Sequence, residues 1–234
     1  MYRNYKIRAP YFEIGFKCFM WGDRMLQLAK GVDAIAHKYD LDVILTPQYA
    51  DIRLLAENTR YVHVYAQHMD ALRPGRGLGS VLPESVREAG AVGVMLNHAE
   101  KKLTLEQIRD TIARADEVGL ATIVCADSVR EIEAVARLSP NLIVAEPTEL
   151  IGTGVASDMR YVKDTIEAVR RINPDIMVLQ GAGISGPEDV ANMIRAGAQA
   201  TGSTSGIMKA ADPLAAAEEM LWTLRKTWDE VHGS

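Results

Sequence analysis

The sequence alternates short apolar runs with longer segments of helical periodicity, and this alternation constrains the fold more than any other feature. The runs occupy residues 11–17, 43–46, 61–66, 91–96, 121–126, 142–145 and 176–180, with a weaker one at 199–203. In a chain of 234 residues these eight runs recur about every 29 residues, close to the roughly 31 per unit of an eightfold barrel of ~250 residues. They are continuously apolar, as parallel strands covered on both faces are.

This pattern predicts an α/β fold, and eight units favour a closed (β/α)8 barrel over an open doubly wound sheet. No linker rich in Pro, Gly or Ser divides the chain, so we expect a single domain over residues 1–234. The eighth run, Gln199-Ala-Thr-Gly-Ser203, is small and polar. A barrel strand is instead expected to carry branched apolar residues.

Two capping boxes predict where helices begin. Thr104-Leu-Glu-Gln107 opens an amphipathic segment that Gly119 ends, and Ser185-Gly-Pro-Glu188 opens another with Pro187 in its first turn. In such a box the first side chain accepts from a backbone N–H that is otherwise without a partner at the helix start.

Charge and composition exclude several classes of protein. The formal net charge is −5, whereas a nucleic-acid binder carries a basic stripe. No apolar run approaches the ~18–20 residues of a membrane span, and the first residues lack the apolar core of a signal peptide. The two cysteines make no disulfide framework. We therefore expect a cytoplasmic protein with no membrane and no nucleic-acid partner.

Chemically useful side chains follow three of the predicted strands. Lys17 ends the first, His98 and Glu100 follow the fourth, and Glu146 follows the sixth. The carboxyl ends of barrel strands meet on one face, where function resides. There a lysine supplies a fixed cation, a histidine a donor or proton carrier, and a glutamate a base.

Glycine-rich turns follow the sixth, seventh and eighth predicted strands, at 152–154, 181–186 and 203–206. Such turns expose backbone N–H groups at helix starts, which is what a phosphate needs. The seventh, Gly181-Ala-Gly-Ile-Ser-Gly186, matches the dinucleotide pattern G-x-G-x-x-G, but residues 201–208 supply no acid for a ribose. We interpret these turns as a phosphate cradle without a nucleotide, and we expect no cofactor and no metal.

Each residue also has a structural interpretation. Lys17 alone could be a solvated cation, His98 a core histidine and Glu146 a turn cap. Their joint placement on strand ends favours a site. His68 is interpreted as structural, and Cys125 as packing, because no histidine–asparagine pattern supports a thiol nucleophile.

Several segments resemble the triosephosphate isomerase family in its short archaeal-type form. The specific ones are Leu96-Asn-His-Ala-Glu100 and Val144-Ala-Glu-Pro-Thr-Glu-Leu-Ile-Gly-Thr-Gly154, supported by Phe16-Lys17, Ala66-Gln-His-Met-Asp70, Gly181-Ala-Gly-Ile-Ser185 and Lys209-Ala-Ala-Asp-Pro213. The resemblance spans roughly residues 12 to 220 and implies the TIM barrel fold.

The resemblance also implies roles for named residues. Glu146 would remove the proton beside the substrate carbonyl, His98 would polarise that carbonyl, and Lys17 would neutralise negative charge. Glu100 would anchor Lys17, and residues 147–154 would form a lid. The backbone amides expected to hold the phosphate are those of Gly152, Gly183, Ile184, Thr204 and Ser205. A loop at 72–80 would insert into a neighbouring subunit, giving a homodimer or homotetramer.

Three positions depart from the family pattern. Gly15 stands where the family has Asn, Ala99 where it usually has Ser, and Leu78 where a Thr reaches across the dimer. Gly15 removes a hydrogen-bonding group and is expected to open space for a longer or branched substrate.

The leading hypothesis is therefore an isomerase that interconverts glyceraldehyde 3-phosphate and dihydroxyacetone phosphate through an enediolate, with a small phosphorylated sugar as its only ligand. Three alternatives stay open. One is isomerisation of a four-carbon sugar phosphate such as an erythrulose phosphate. Another is a non-catalytic barrel that binds a phosphate metabolite, and the third is a barrel lyase or synthase.

Overall fold

Eight parallel strands pair in chain order and close into a barrel in the computed structural model, which confirms the predicted (β/α)8 TIM barrel. The structure describes residues 1–233. The strands are β1 Tyr11–Gly15, β2 Asp42–Thr46, β3 Val62–Ala66, β4 Gly93–Leu96, β5 Ala121–Ala126, β6 Leu142–Ala145, β7 Met177–Gln180 and β8 Ala200–Ser203. The ring closes because β1 pairs with β8 as well as with β2.

Helices cover the outside of the barrel. They are α1 Gly22–Lys38, α2 Ile52–Asn58, α3 Pro83–Glu88, α4 Leu105–Val118, α5 Val129–Ala136, α6 Met159–Ile172, α7 Pro187–Arg195, α8 Ser205–Met208 and α9 Pro213–His232. The last helix packs against both α7 and α1, which closes the outer ring. None of these described helices has the length and apolarity to span a membrane.

The first capping box is confirmed and the second is wrong. Thr104 accepts from the backbone N–H of Gln107, and Gly119 ends α4 with a φ of 79°. Helix α7 instead begins after Gly186, with Pro187 in its first turn. The Asp189 carboxylate, not a Ser185–Glu188 pair, accepts from the Ser185 and Gly186 N–H groups at 2.8 and 3.2 Å. A carboxylate further into the turn reaches both donors at once.

The core has two shells. One lies between the strands and the helices and includes Phe12 and Ile14, whereas the other fills the barrel interior and includes Tyr11 and Tyr65. Alternate residues of each strand face alternate shells. Tyr11 and Glu13 therefore both belong to the inward face of β1.

The weak eighth run is a true strand, and its neighbours explain its composition. Ala200 lies opposite Tyr11 and Gly202 lies opposite Glu13 in the β1–β8 register. Large inward side chains on β1 take the volume that branched side chains on β8 would otherwise fill. The small residues of β8 therefore match the large inward side chains of β1 in volume.

The first strand is shorter than predicted. It ends at Gly15 rather than at residue 17, because Lys17 adopts a left-handed backbone with a φ of 46°. A chain in that conformation cannot continue a strand. The turn sets the position of the Lys17 side chain.

Candidate active site

A cavity of about 480 Å³ opens at the carboxyl ends of the strands. The residues singled out from the sequence all line it: Gly15, Lys17, His98, Glu100, Glu146, Gly152, Gly183, Ile184, Thr204 and Ser205. Cys125 lines the same cavity, whereas His68 lies outside it, bonded to Asp70 at 3.2 Å. The closed barrel thus gathers residues from six strand ends into one site.

His98 is held as a neutral hydrogen-bond donor. The backbone N–H of Glu100 donates to His98 Nδ1 at 3.1 Å, so in the neutral ring the proton sits on Nε2. Burial and the nearby Lys17 charge lower the imidazole pKa to about 4. Nε2 lies 3.8 Å from Glu146 Oε2, and the gap leaves the donor and the carboxylate facing the same space.

Asn97, the residue before His98, fixes the backbone at this point and adopts a φ of 60°. The Asn97 side-chain amide donates to the Cys125 carbonyl at 2.8 Å and accepts from the Leu103 N–H at 2.9 Å. These two bonds tie the loop after β4 to β5 and to the start of α4. The imidazole therefore projects from a backbone held at both ends.

Glu146 begins the loop after β6. Its backbone N–H donates to the Ala126 carbonyl at 2.9 Å, which extends the sheet by one bond and fixes the residue at the rim. Its Oε1 accepts from the Ala182 N–H at 3.2 Å. Burial raises the pKa of the carboxyl, while the Lys17 charge and the Ala182 bond oppose that rise. A carboxylate shielded in this way is suited to act as a base.

Two amide side chains stabilise the strained backbone of Lys17. Gln48 Nε2 donates to the Lys17 carbonyl at 2.6 Å and Gln67 Nε2 donates to it at 3.0 Å. A left-handed conformation costs a non-glycine residue about 1–3 kcal/mol and persists where surrounding contacts determine it. The Lys17 ammonium then reaches Glu100 Oε1 at 2.6 Å. Neither glutamine was identified from the sequence, because a side chain that donates to a distant backbone carbonyl has no characteristic sequence motif.

The five predicted anion-binding amides share a property. Within residues 1–233, the backbone N–H groups of Gly152, Gly183, Ile184, Thr204 and Ser205 donate to no other protein group. Their neighbours Ala182 and Ser185 do have partners, in Glu146 and Asp189. Gly152 is exposed, whereas the other four residues are buried or half-buried, where an N–H normally finds a partner. These donors are therefore suited to an anionic ligand.

The segment predicted as a lid, residues 147–154, contains a single short 3-10 turn over Thr148–Leu150. Gly152 and Gly154 both have φ values near 75°, which other residues rarely adopt. Beyond the segment, a Cβ at Gly183 would lie 1.8 Å from the Val155 carbonyl oxygen. This loop and the one after β7 therefore meet where only glycine fits.

The expectation that Gly15 opens space is wrong. A Cβ at that position would lie 2.5 Å from Thr204 Oγ1 and 3.4 Å from Glu13 Oε1. The Thr204 hydroxyl fills the volume that a side chain would occupy, while the Glu13 carboxyl lies at ordinary contact distance. Ala99 does not line the cavity, and Leu78 is fully exposed on the loop before α3.

Glu13 is the main residue that sequence reasoning missed. It lies on the inward face of β1, lines the cavity and is only 9% exposed. The one available signal was an acid inside an otherwise apolar strand, four residues before Lys17. Lys209 also lines the cavity and was named only as part of a motif.

Comparison with known proteins agrees with this geometry. The sequence profile of a family described as "Triosephosphate isomerase" matches residues 12–219. The chain is 39% identical to "Triosephosphate isomerase" of Methanobacterium bryantii over 210 residues, covering 88% of this chain and 92% of the relative. It is 38% identical to the protein of that name from Methanocaldococcus jannaschii, covering 86% and 92%. It is 34% identical to the one from Sulfurisphaera tokodaii, covering 95% and 99%.

Proposed function

Because this chain belongs to the triosephosphate isomerase family, we propose that it interconverts glyceraldehyde 3-phosphate and dihydroxyacetone phosphate, with Glu146 as the base. Glu146 takes a proton from the carbon beside the substrate carbonyl, which gives an enediolate. The proton then returns to the neighbouring carbon, so the carbonyl moves by one position and no co-reactant is needed.

The observation that carries this proposal is the pairing of His98 with Glu146. The Glu100 N–H occupies His98 Nδ1, so the Nε2–H is free to donate to a substrate oxygen while Glu146 faces the adjacent carbon. A glutamate base beside a neutral histidine is the established arrangement in triosephosphate isomerases.

Lys17 and the backbone amides supply the charge that an anionic substrate needs. The protein as a whole carries a net charge of −5, so attraction has to be local. The Lys17 ammonium stabilises negative charge that develops on the enediolate oxygens. The phosphate takes the free N–H groups of Gly152, Gly183, Ile184, Thr204 and Ser205.

The test is Glu146→Asp, which retracts the carboxylate by about 1 Å and is expected to lower turnover on the order of 10²-fold. The readout is uptake of solvent deuterium at the carbon beside the carbonyl, which reports the proton transfer itself. Glu106→Asp, an exposed change of the same type on α4, is the control and should leave uptake unchanged. Unchanged uptake in Glu146→Asp would show that Glu146 is not the base. Phosphate binding without uptake in the unaltered protein would favour a binding barrel instead.

We also propose that the chain forms one domain and works in the cytoplasm as a homodimer or homotetramer. Closure of the barrel between β1 and β8 supports the single domain. Leu78 is fully exposed on the loop that the family resemblance places in a neighbouring subunit, and burial there would remove its apolar surface from water. Sedimentation of the unaltered protein and of Leu78→Asp, which should lower the mass observed, tests the assembly.

A further inference from the structure

A carboxyl group lies on the floor of the cavity, below the residues assigned to chemistry. Glu13 is on the inward face of β1, two residues deeper than Gly15, which is about 6–7 Å along the strand. Thr46 Oγ1, on the adjacent strand β2, donates to Glu13 Oε1 at 3.0 Å. Within residues 1–233 no donor bonds to Glu13 Oε2, and Glu13 lines the cavity. One carboxyl oxygen is therefore held by the protein and the other faces the cavity.

A glycine on β8 makes room for this carboxyl. A Cβ at Gly202, directly opposite Glu13, would lie 2.7 Å from the Glu13 carbonyl oxygen and 3.2 Å from Glu13 Oε2. The small, polar composition of β8 thus has a specific consequence: it keeps an acid in the barrel interior.

Packing alone does not account for an acid at this position. A buried carboxyl without full hydrogen bonding destabilises the fold, whereas an apolar side chain of that size would stabilise it. Burial raises the pKa of Glu13 to about 7, with the Glu146 charge adding to the rise and Thr46 and Lys17 opposing it. Near neutral pH the group can therefore both accept and donate a hydrogen bond.

The place of Glu13 relative to the reacting atoms indicates what it binds. The free amides for the phosphate lie in the loops after β6, β7 and β8, at the rim. In the proposed reaction, the reacting carbons lie over the face that His98 Nε2 and Glu146 Oε2 share. A substrate that extends past the reacting carbons, away from its phosphate, therefore reaches down toward Glu13. A triose phosphate ends at the reacting carbons and leaves Glu13 without a partner.

Resting on the proposed isomerase function, we infer that Glu13 and Thr46 form a hydroxyl-binding recess, and that it admits phosphorylated keto sugars with a hydroxymethyl group beyond the reacting carbons. With such a substrate Glu146 removes the proton from the carbon beside the carbonyl. The enediolate forms, and a proton returns to the former carbonyl carbon. Only the position of the carbonyl changes, so no oxidant or reductant takes part.

The experiment compares kcat/KM for glyceraldehyde 3-phosphate with kcat/KM for a ketotetrose 1-phosphate. The variants are Glu13→Leu, which removes the polar group, Glu13→Gln, which keeps its size and hydrogen bonding, and Thr46→Val. Thr165→Val, at a buried threonine of α6 outside the cavity, is the control. Glu13→Leu is expected to lower the tetrose-to-triose ratio about 10- to 100-fold, because it removes a hydrogen bond to a charged or partly charged group. Glu13→Gln should stay within about tenfold of the unaltered ratio, and Thr46→Val should give a ratio between those of the two Glu13 variants. Thr165→Val should leave the ratio unchanged.

The outcomes separate this inference from the proposed function. Turnover of the triose without turnover of the tetrose in the unaltered protein would overturn the recess and leave the isomerase intact. An unchanged tetrose-to-triose ratio in Glu13→Leu would overturn the recess too. If that ratio is unchanged because kcat/KM falls equally for both substrates, Glu13 is a general structural or positioning residue. Turnover of neither substrate by the unaltered protein would instead overturn the proposed function.

Discussion

Glu100 Oε1 lies 2.6 Å from Lys17 Nζ and so joins the loop after β4 to the end of β1. The same residue donates its backbone N–H to His98 Nδ1. One residue therefore sets both the position of the ammonium and the tautomer of the imidazole. The first contact depends on the side chain and the second does not, so substitution can separate them.

Glu100→Gln is expected to lower kcat/KM about tenfold while changing the free energy of unfolding by less than about 1 kcal/mol. The Glu100 side chain is 65% exposed, and exposed ion pairs contribute little to stability. The loss of activity comes from Lys17, which is no longer held at the carboxylate. Steady-state kinetics and urea unfolding measure the two effects.

A matched control is the exposed pair of Lys38 and Glu218, which lie 2.8 Å apart far from the cavity. Glu218→Gln removes a comparable contact and should leave kcat/KM unchanged. Equal effects of the two substitutions on kcat/KM would contradict a positioning role for Glu100.

His98→Gln is expected to lower kcat on the order of 10²- to 10⁴-fold, because a positioned proton carrier contributes a factor of that size. His68→Gln is the control. His68 is a buried histidine, 3% exposed and bonded to Asp70, and it lies outside the cavity. That variant should lose stability in thermal unfolding and keep its kcat in the folded fraction. Similar kcat values for the two variants would contradict the assigned role of His98.

Glu146 rather than His98 is expected to set the acid side of the activity profile. Burial raises the pKa of the Glu146 carboxyl above its ordinary 4.5, whereas the His98 pKa is lowered to about 4. As pH falls, Glu146 takes up a proton first, and the base is lost while His98 is still neutral. The acid limb of kcat/KM should therefore follow one proton and lie above pH 4.5.

Lys17→Met provides the check on that assignment. The Lys17 charge lowers the pKa of Glu146, so its removal should raise that pKa and move the acid limb to higher pH. The two proteins are compared with the same substrate, whose own titration then cancels. A limb that stays in place would mean that Glu146 does not control it.

Gly183→Ala is expected to weaken phosphate binding as well as stability. The new Cβ would meet the Val155 carbonyl oxygen at 1.8 Å, so the loop after β6 has to move away from the one after β7. The positive φ of 70° adds a backbone cost of about 1 kcal/mol or more. Titration with inorganic phosphate and thermal unfolding measure the two effects.

Gly197→Ala isolates the backbone cost. Gly197 has a φ of 97°, a Cβ added there would have no neighbour within 4 Å, and the residue is remote from the cavity. This variant should lose stability and keep its affinity for phosphate. Loss of phosphate affinity in both variants would show that backbone strain alone, rather than the contact with Val155, affects the site.

Glu13→Gln should change how stability depends on pH. The pKa of Glu13 is raised from 4.5 to about 7 in the folded protein, so the unfolded chain releases its proton first as pH rises. The contribution of Glu13 to stability is therefore complete below about pH 4.5 and is lost as pH rises toward 7. The glutamine variant does not titrate. Relative to the unaltered protein it should gain about 2–3 kcal/mol between about pH 5 and about pH 8. Urea unfolding at both pH values measures this, and a constant difference would place the Glu13 pKa near its ordinary value.

The barrel and the placement of Lys17, His98 and Glu146 at one rim were predictable because each depends on local information. The apolar runs located the strands to within two residues, and parallel strands carry Lys17, His98 and Glu146 to one rim whatever their order around the ring. The resemblance to the family is confirmed by the family match. The free amides after β6, β7 and β8 were also predictable, since glycine-rich turns leave backbone donors exposed wherever they occur.

What the sequence by itself determined is therefore the barrel, the identity of the groups at its rim and the family. The tertiary structure alone decided how those groups are held and what lies beneath them. The donors to the Lys17 carbonyl come from Gln48 and Gln67 on other units. The volume beside Gly15 is filled by Thr204 from the far end of the chain, and Gly202 admits the Glu13 carboxyl. The physical reason is closure: β1 meets β8 only when the whole ring has formed, so contacts across that seam join residues almost 190 positions apart, and no local pattern encodes them.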